Sequence, residues 1–253
     1  MPEHRFSTPD PVELKVNIPS GEIVVETVDG DETVVTVEGS PKLVEQTTVE
    51  QRGDSIVVDF QGRHAGISIA IGNLSFGGGR LEVRARVPHS SRARLNAASA
   101  EMTLDGTLAS LDVKTVSGDL RASGAIEGDT TLKTVSGDLR LATVGGELRV
   151  QSVSGDTTVR SVGGSLVAKS VSGDVRVESV RNGHAEVTSI SGDIEIGIAA
   201  GSNVDVDANS VSGDLSSEVA LANDPGVAGF GDGPTVVVRG KTVSGDFRVF
   251  RAA

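Results

Sequence analysis

Aliphatic residues recur along the second half of the chain in steps of two, three and four residues, which sum to nine. The pattern runs through Leu139, Leu141, Val144, Leu148, Val150, Val153, Thr157, Val159 and Val162, and resumes at Val175, Val177 and Val180. A step of two is the alternation of a β-strand, and the longer steps indicate a bend and a turn. Each nine-residue unit therefore predicts one short strand plus one turn. A helix is excluded because the period is wrong and Gly and β-branched residues dominate.

The tripeptide Ser-Gly-Asp marks every second turn. It begins at Ser117, Ser136, Ser154, Ser172, Ser191, Ser212 and Ser244, with spacings of 19, 18, 18, 19, 21 and 32 residues. Weaker copies such as Val144-Gly145-Gly146-Glu147 lie between them. Self-similarity at a fixed period is typical of a solenoid, in which each repeat is covered by its neighbours. Two units are therefore expected to close one rung.

These observations predict an all-β fold, a β-solenoid taken as a right-handed β-helix or β-roll of about 18 residues per rung, with rungs about 4.8 Å apart. The residue before each Ser-Gly-Asp is predicted to form an interior aliphatic column. Its members are Val116, Val135, Val153, Val171, Ile190, Val211 and Val243. Burying each such side chain contributes roughly 1.5–3 kcal/mol, and only when neighbouring rungs cover it. A single rung is not expected to fold alone.

The chain divides into two predicted parts, an irregular β N-terminal segment at 1–92 that caps the array and a regular solenoid at 93–253. The first part contains the strand-like runs Val12–Val16, Glu22–Glu26, Thr33–Val37, Ser55–Phe60 and Leu81–Val87. A Gly-rich connection from Gly62 to Gly79 precedes the last of these runs. Turn signals near 222–234 predict a loop inserted into a rung, after which Thr235–Val238 resumes the sheet. Phe247, Val249 and Phe250 are expected to close the C-terminal end.

The composition limits both the core and the chemistry. Six Phe with no Trp and no Tyr predict a thin aliphatic interior. The absence of Cys excludes disulfides, thiolate catalysis and cysteine-type zinc sites. A formal charge of −12 argues against nucleic acid as a partner, since the long-range field repels phosphates.

The N-terminus Met1–Ser7 has neither the basic start nor the apolar region of a secretory signal, and the sequence contains no run of eighteen apolar residues. These features predict a cytoplasmic protein with no membrane insertion. Association with the cell envelope through a partner is the alternative.

The Asp of each tripeptide forms a predicted column, and it leaves two interpretations open. The column comprises Asp119, Asp138, Asp156, Asp174, Asp193, Asp214 and Asp246. In the first interpretation, turn amides and Ser hydroxyls bind the carboxylates, and Arg121, Arg140, Arg176 and Arg248 neutralise them. In the second, the carboxylates form a row of calcium sites resembling those of secreted β-rolls, although Gly and Asp are adjacent here and are not in β-rolls. No other metal and no cofactor is predicted.

Four further sets of residues are candidates for sites. The hydroxyl column Thr115, Thr134, Ser152, Ser170, Ser189, Ser210 and Thr242 is either a carbohydrate- or ice-binding array or the hydroxyl ladder that β-propensity favours. Outward basic residues, namely Lys114, Lys133, Arg149, Arg160 and Lys169, form a polyanion stripe or a solvated face. His4, His64, His89 and His184 lack metal or triad spacing, and Gly77–Arg80 lacks the Lys-Ser/Thr of a phosphate loop. No catalytic residue is predicted.

The repeated Thr/Ser-Val-Ser-Gly-Asp-Leu/Val-Arg-Val unit resembles the bacterial β-strand-repeat domains of unknown function known as "putative adhesins". The resemblance is best over Leu95–Arg251 and extends weakly to Val12. It implies a non-enzymatic binding or scaffold module with a protein or glycan partner, and it leaves the oligomeric state open. The alternatives are a carbohydrate-active or other enzyme, with a site between the N-terminal segment and the solenoid near Gly62–Gly79, and a calcium-binding β-roll.

Overall fold

A computed structural model of the chain describes residues 2–61, 80–219 and 233–252, in which twenty-one strands and one short helix occur. The first part contains β1 (Glu3–Ser7), β2 (Glu13–Val28), β3 (Glu32–Gly39), α1 (Pro41–Glu45), β4 (Thr47–Arg52), β5 (Ser55–Phe60), β6 (Leu81–Pro88) and β7 (Ser91–Asp105). The repeats contain β8 (Leu108–Ser117), β9 (Leu120–Ile126), β10 (Thr130–Lys133), β11 (Leu139–Val144), β12 (Leu148–Gln151), β13 (Thr157–Val162), β14 (Leu166–Lys169), β15 (Val175–Val180), β16 (Gly183–Thr188) and β17 (Ile194–Ile198). The last strands are β18 (Asn203–Ser212), β19 (Leu215–Ser217), β20 (Thr235–Ser244) and β21 (Phe247–Arg251). Within these described ranges no helix has the length and apolar character needed to cross a membrane.

The repeats form a solenoid with one strand of each rung in each of two parallel stacks. One stack runs β8-β10-β12-β14-β16 and the other β9-β11-β13-β15-β17. The register places Leu139 between Leu120 and Thr157, which are the same position one rung earlier and one rung later. The predicted all-β solenoid with rungs of about 18 residues is therefore confirmed.

The N-terminal segment continues the same sheet. β2 is parallel to β7 from Glu13 to Glu26, and it is parallel to β5 and β6 on its other side. The irregular part consists of antiparallel additions, with β4 on β5 and β1 on β3 on β6. Glu13 accepts hydrogen bonds from Lys15 and Ser55 there, and the Lys15 bond is the main cause that lowers the pKa of Glu13.

The last two rungs stack in the reverse of their chain order. β20 lies between β16 and β18, and β21 lies between β17 and β19. The rung that contains Phe247 and Val249, both 1% exposed, is therefore inside the array and does not close its end as predicted. The predicted loop near 222–234 and the connection Gly62–Gly79 lie wholly or mainly outside the described residues.

The predicted aliphatic column faces solvent. Its spatial order is Val116, Val135, Val153, Val171, Ile190, Val243 and Val211, with exposed fractions from 37% to 82%. The preceding Thr or Ser is inside instead, as with Ser152 beside the exposed Val153. Strand alternation explains the error, since Leu148, Val150 and Ser152 point inward in steps of two and the next residue must point out. The step of three holds only in the other half of the rung, from Leu141 to Val144.

This assignment predicts effects of very different size for the same substitution at two positions three residues apart. Val153→Thr changes an exposed side chain, so the free energy of unfolding is expected to stay within about 0.5 kcal/mol of wild type. Val150→Thr buries a hydroxyl among aliphatic side chains and is expected to lower it by about 1–3 kcal/mol. Urea unfolding followed by circular dichroism measures both. Equal losses would contradict the orientation of the strand.

Candidate functional site

The Ser-Gly-Asp corners align along the solenoid. Parallel bridges join Ser117 to Ser136, Ser154, Ser172, Ser191 and Ser244 in turn, and Ser244 is paired with Ser212. The Gly of each corner has a positive φ, and a Cβ added to Gly137 would lie 2.3 Å from the carbonyl oxygen of Gly118. Glycine is required here because the chain bends in a left-handed conformation against the backbone of the next rung.

The Asp column is joined by hydrogen bonds between successive corners. The backbone N–H of each Asp donates to Oδ1 of the preceding Asp, at 2.8–3.0 Å. The order is Asp119, Asp138, Asp156, Asp174, Asp193, Asp246 and Asp214. One carboxylate oxygen in each of the first six Asp residues thus accepts a backbone hydrogen bond. These hydrogen bonds offset part of the repulsion between neighbouring carboxylates.

Arginine neutralisation of this column is largely a wrong prediction. Only Arg140 pairs within it, with Nη2 2.8 Å from Asp138 Oδ2. Arg176 binds Glu195, and Arg248 binds Glu218, a hydrogen bond that raises the pKa of Arg248. Arg176 and Arg248 lie on the strand that follows the corner, and each binds a Glu of a neighbouring rung instead of the Asp column. In the described ranges no three His, Asp or Glu side chains are grouped to hold a metal ion, and the calcium hypothesis stays a prediction.

The hydrogen-bonded Asp column makes a prediction about charge and shape. Asp156→Asn keeps the Oδ1 acceptor for Asp174 N–H and removes a charge between two carboxylates, so stability is expected to be unchanged or slightly higher at low salt. Asp156→Ala removes the acceptor and is expected to lower stability by about 1 kcal/mol. Thermal melts by circular dichroism measure both. Repeating the wild-type melt with chelator tests the calcium hypothesis, which requires the melting temperature to fall.

The hydroxyl column is buried, which corrects its interpretation as a ligand face. Its members other than Ser210 are at most 8% exposed. Thr115, Thr134 and Ser152 donate to the backbone carbonyl two residues later, at 2.9–3.1 Å. These three hydroxyls cap the corner from inside, whereas the buried hydroxyls of Ser189 and Thr242 have no hydrogen-bond partner in the described residues.

The aliphatic stripe, defined as the exposed column from Val116 to Val211, contains seven of the eight large hydrophobic side chains that are exposed in the described residues. The residue two positions earlier points to the same side, since two-residue steps share a face. Four of these seven neighbours are exposed lysines that form no ion pair within the described residues, namely Lys114, Lys133, Lys169 and Lys241. Each rung thus presents Lys or a polar residue, then Val or Ile, then Ser and Asp.

One histidine has partners that the sequence did not reveal. His89 Nδ1 lies 2.8 Å from Thr27 Oγ1, and His89 Nε2 lies 3.4 Å from Asp29 Oδ1. The alignment of β2 with β6 creates this arrangement, so no spacing in the sequence could predict it. Asp29 is fully exposed, and Thr27 Oγ1 also accepts the N–H of Thr107. The group ties the end of β2 to two neighbouring turns, and its carboxylate lacks the burial that orients a catalytic histidine.

A surface groove of about 480 Å³ lies between the N-terminal segment and the array, where the enzyme alternative expected a site. Its lining residues are Ser20, Gly21, Arg80, Ser99, Ala100, Glu101, Gly118 and Asp119. These residues include the carboxylates of Glu101 and Asp119, which could act as general bases, but no His, Lys or Cys. The part of the predicted site near Gly62–Gly79 is outside the described residues.

Solved structures with the same fold come from Parabacteroides distasonis. A "putative adhesin" is 16% identical, with 98% of this chain and 96% of that chain covered and a TM-score of 0.51. A "putative lipid binding protein" is 12% identical, with the same coverage and a TM-score of 0.53. At these identities the likeness concerns the fold alone.

The two sequence comparisons give different results. None of the curated proteins matches the chain. The family model described as Toastrack DUF4097 matches residues 12–249, which includes both the parallel β2 rung and every Ser-Gly-Asp corner. The chain therefore belongs to the Toastrack DUF4097 family.

Proposed function

We propose that this protein is a non-enzymatic binding or scaffold module and that the aliphatic stripe is its binding surface. The observation that carries the proposal is a row of seven β-branched apolar side chains, each 37–82% exposed. With rungs about 4.8 Å apart, the row is about 29 Å long. Contiguous exposed apolar surface of this kind marks interaction sites in soluble proteins.

The repeats themselves show that this column is unusual. The outward column two residues earlier contains Lys, Gln, Thr and Asn in different rungs, whereas the stripe contains Val six times and Ile once. Thr would serve an exposed strand position equally well, as Thr131 and Thr158 do on other outward columns. β-propensity alone therefore does not account for seven apolar residues in one column, and a binding surface does.

The descriptions of the structural neighbours are compatible with this class of function. The two P. distasonis proteins are described as a "putative adhesin" and a "putative lipid binding protein", and both descriptions name binding rather than catalysis. The groove at Arg80 supports the enzyme alternative less well, because one of its two carboxylates, that of Asp119, already accepts the N–H of Asp138, the same bond that joins the other corners of the array.

The test compares two double variants of the full chain. Val135→Asp with Val171→Asp places charge in the stripe, and Thr158→Asp with Ser161→Asp adds the same charge to the outer face of β13, where Thr158 aligns with Arg140 and Arg176. Both variants are expected to melt near wild type, since all four positions are outward. Binding to immobilised wild-type chain, a glycan panel, lipid vesicles and native cell extract is then measured for each.

We expect the stripe variant to lose at least tenfold in affinity for the ligand that wild type binds, with the control variant unchanged. Binding that survives the stripe variant would place the surface elsewhere and contradict the proposal. Turnover in an activity screen that Glu101→Gln or Arg80→Ala abolishes would favour the enzyme alternative.

A further inference from the structure

We propose that a second copy of this chain occupies the aliphatic stripe, with the two solenoids side by side and their axes parallel about a twofold axis. The inference rests on the proposed function, in which the stripe is the binding surface, and it names the occupant. Three features carry it: the period of the stripe, the charges on its two flanks and the unpaired state of those charges in the monomer.

The period of the stripe selects its partner. Apolar side chains recur at every rung over seven rungs, about 4.8 Å apart. A partner can place a side chain against every row only if its own surface has that spacing over the same length. A second copy has it automatically, because its stripe is built by the same stacking. β-branched side chains at this spacing interdigitate between facing sheets.

The flanks of the stripe select the orientation. Lys114, Lys133, Lys169 and Lys241 stand on one side, and the Ser and Asp of each corner stand on the other. A twofold axis parallel to the stripe brings the Lys side of each copy to the Asp side of its partner. A twofold axis perpendicular to the stripe brings Lys against Lys and Asp against Asp. Opposite charges at the rim favour the parallel arrangement and like charges oppose the other.

The unpaired state of these charges strengthens the argument. The four lysines have no ion pair within the described residues, and only Asp138 of the Asp column is paired with an Arg. A Lys from the partner would lie beside carboxylates that repel one another within the monomer. Such contacts at the rim make association weaker as salt rises.

The area of the strip sets the strength of the contact. Three residues of extended chain separate the Lys column from the Ser of the corner, which gives a flat strip about 10 Å wide and about 29 Å long. Two such strips bury roughly 600 Å² in total, below the usual size of specific interfaces and in the range of weak, transient ones. The structure thus predicts a reversible dimer whose population rises with concentration, not a permanent one.

The chain contains no Cys, so single introduced thiols report the geometry directly. Val135→Cys and Val243→Cys lie near opposite ends of the stripe, and Thr158→Cys on the other stack is the matched control. Facing sheets lie about 10 Å apart, too far for a disulfide, so a short bismaleimide that joins two thiols is the probe. Covalent dimer is measured on denaturing gels, for each variant alone and for the first two mixed.

The parallel dimer predicts that Val135→Cys and Val243→Cys each cross-link with themselves at least tenfold faster than Thr158→Cys. Antiparallel packing would place row two of one copy on row six of the other, so only the mixture would cross-link, and this result would overturn the proposal. Sedimentation of wild type is expected to show a monomer–dimer equilibrium that Lys133→Glu with Lys169→Glu weakens. A wild-type monomer at every concentration would also overturn it.

The two proposals fail in different ways. If wild type stays monomeric while Val135→Asp with Val171→Asp still abolishes binding to another ligand, the stripe is a binding surface for a different partner. If the same variant changes neither self-association nor any other binding, the stripe is not the binding surface and both proposals fall.

Discussion

Gly137→Ala is expected to destabilise the protein by about 3 kcal/mol or more, a large effect for a single methyl group. Gly137 has φ +128°, and its added Cβ would lie 2.3 Å from the carbonyl oxygen of Gly118 and 2.7 Å from its carbonyl carbon. The obstacle is the backbone of the neighbouring rung, so no side-chain rotation can relieve it. Neighbouring rungs would have to move apart where they share hydrogen bonds.

Gly30→Ala is the matched control, because Gly30 has φ +135° but no atom within 4 Å of its added Cβ. Its substitution has the conformational penalty alone, about 1–2 kcal/mol. Urea unfolding by circular dichroism suits both variants, since the chain has neither Trp nor Tyr for fluorescence. Equal losses for the two variants would show that contact between rungs is not what requires glycine at the corners.

The second large effect is expected at Phe247, the largest fully buried side chain in the described residues, which packs against a glycine. Phe247 packs over Gly240, and a Cβ on Gly240 would lie 2.2 Å from the Phe247 ring. In the neighbouring rung the same two positions hold Ile194 and Val187. Gly240→Val is expected to destabilise the protein by about 1–3 kcal/mol by overpacking, and Phe247→Ile by a similar amount through the space it leaves.

The double variant Gly240→Val with Phe247→Ile recreates the Val and Ile pair of the adjacent rung. It is expected to be closer to wild type than either single variant, with a coupling energy of about 1–3 kcal/mol. A thermodynamic cycle from four urea unfolding curves measures it. Additive losses would mean that the two residues do not share one volume.

The packing of the corners supports the proposed dimer, because it keeps the stripe straight. The corners place each Val or Ile directly above the last through the Ser bridges, the Gly contacts and the Asp hydrogen bonds. A surface built in this way repeats with the backbone spacing and does not depend on loops. Variants that disturb a corner, such as Gly137→Ala, are therefore expected to weaken self-association together with stability.

The sequence by itself determined the class of fold and the alignment of the corners. A period near 18 residues with Gly at every second turn allows few structures other than stacked rungs, since the turns need a left-handed residue and the strands need neighbours. The Toastrack DUF4097 match and the parallel register confirm that prediction. Alternation also predicted β3, β5 and the two halves of β2, but not β1, α1 or β4.

The tertiary structure alone decided which side of the corner is inside. Val153 and Ser152 are adjacent, and hydrophobicity favours Val for the interior, yet the inward steps from Leu148 assign the interior to Ser152. The hydroxyl is tolerated because it donates to the carbonyl of Ser154, a contact that sequence periodicity does not contain. The surface proposed here for binding consists of the residues that the sequence had assigned to the core.

The order of the last two rungs also could not be predicted from the sequence. Parallel backbone pairing accepts any rung with the same corner, and both Val211-Ser212-Gly213-Asp214 and Val243-Ser244-Gly245-Asp246 qualify. Side-chain burial separates them: Phe247 and Val249 need a neighbour on both sides, whereas Leu215 and Ser217 at the same positions are exposed. The sequence determines which rungs can stack on one another, because each has the same corner. The burial of particular side chains in the tertiary structure determines the order in which they stack.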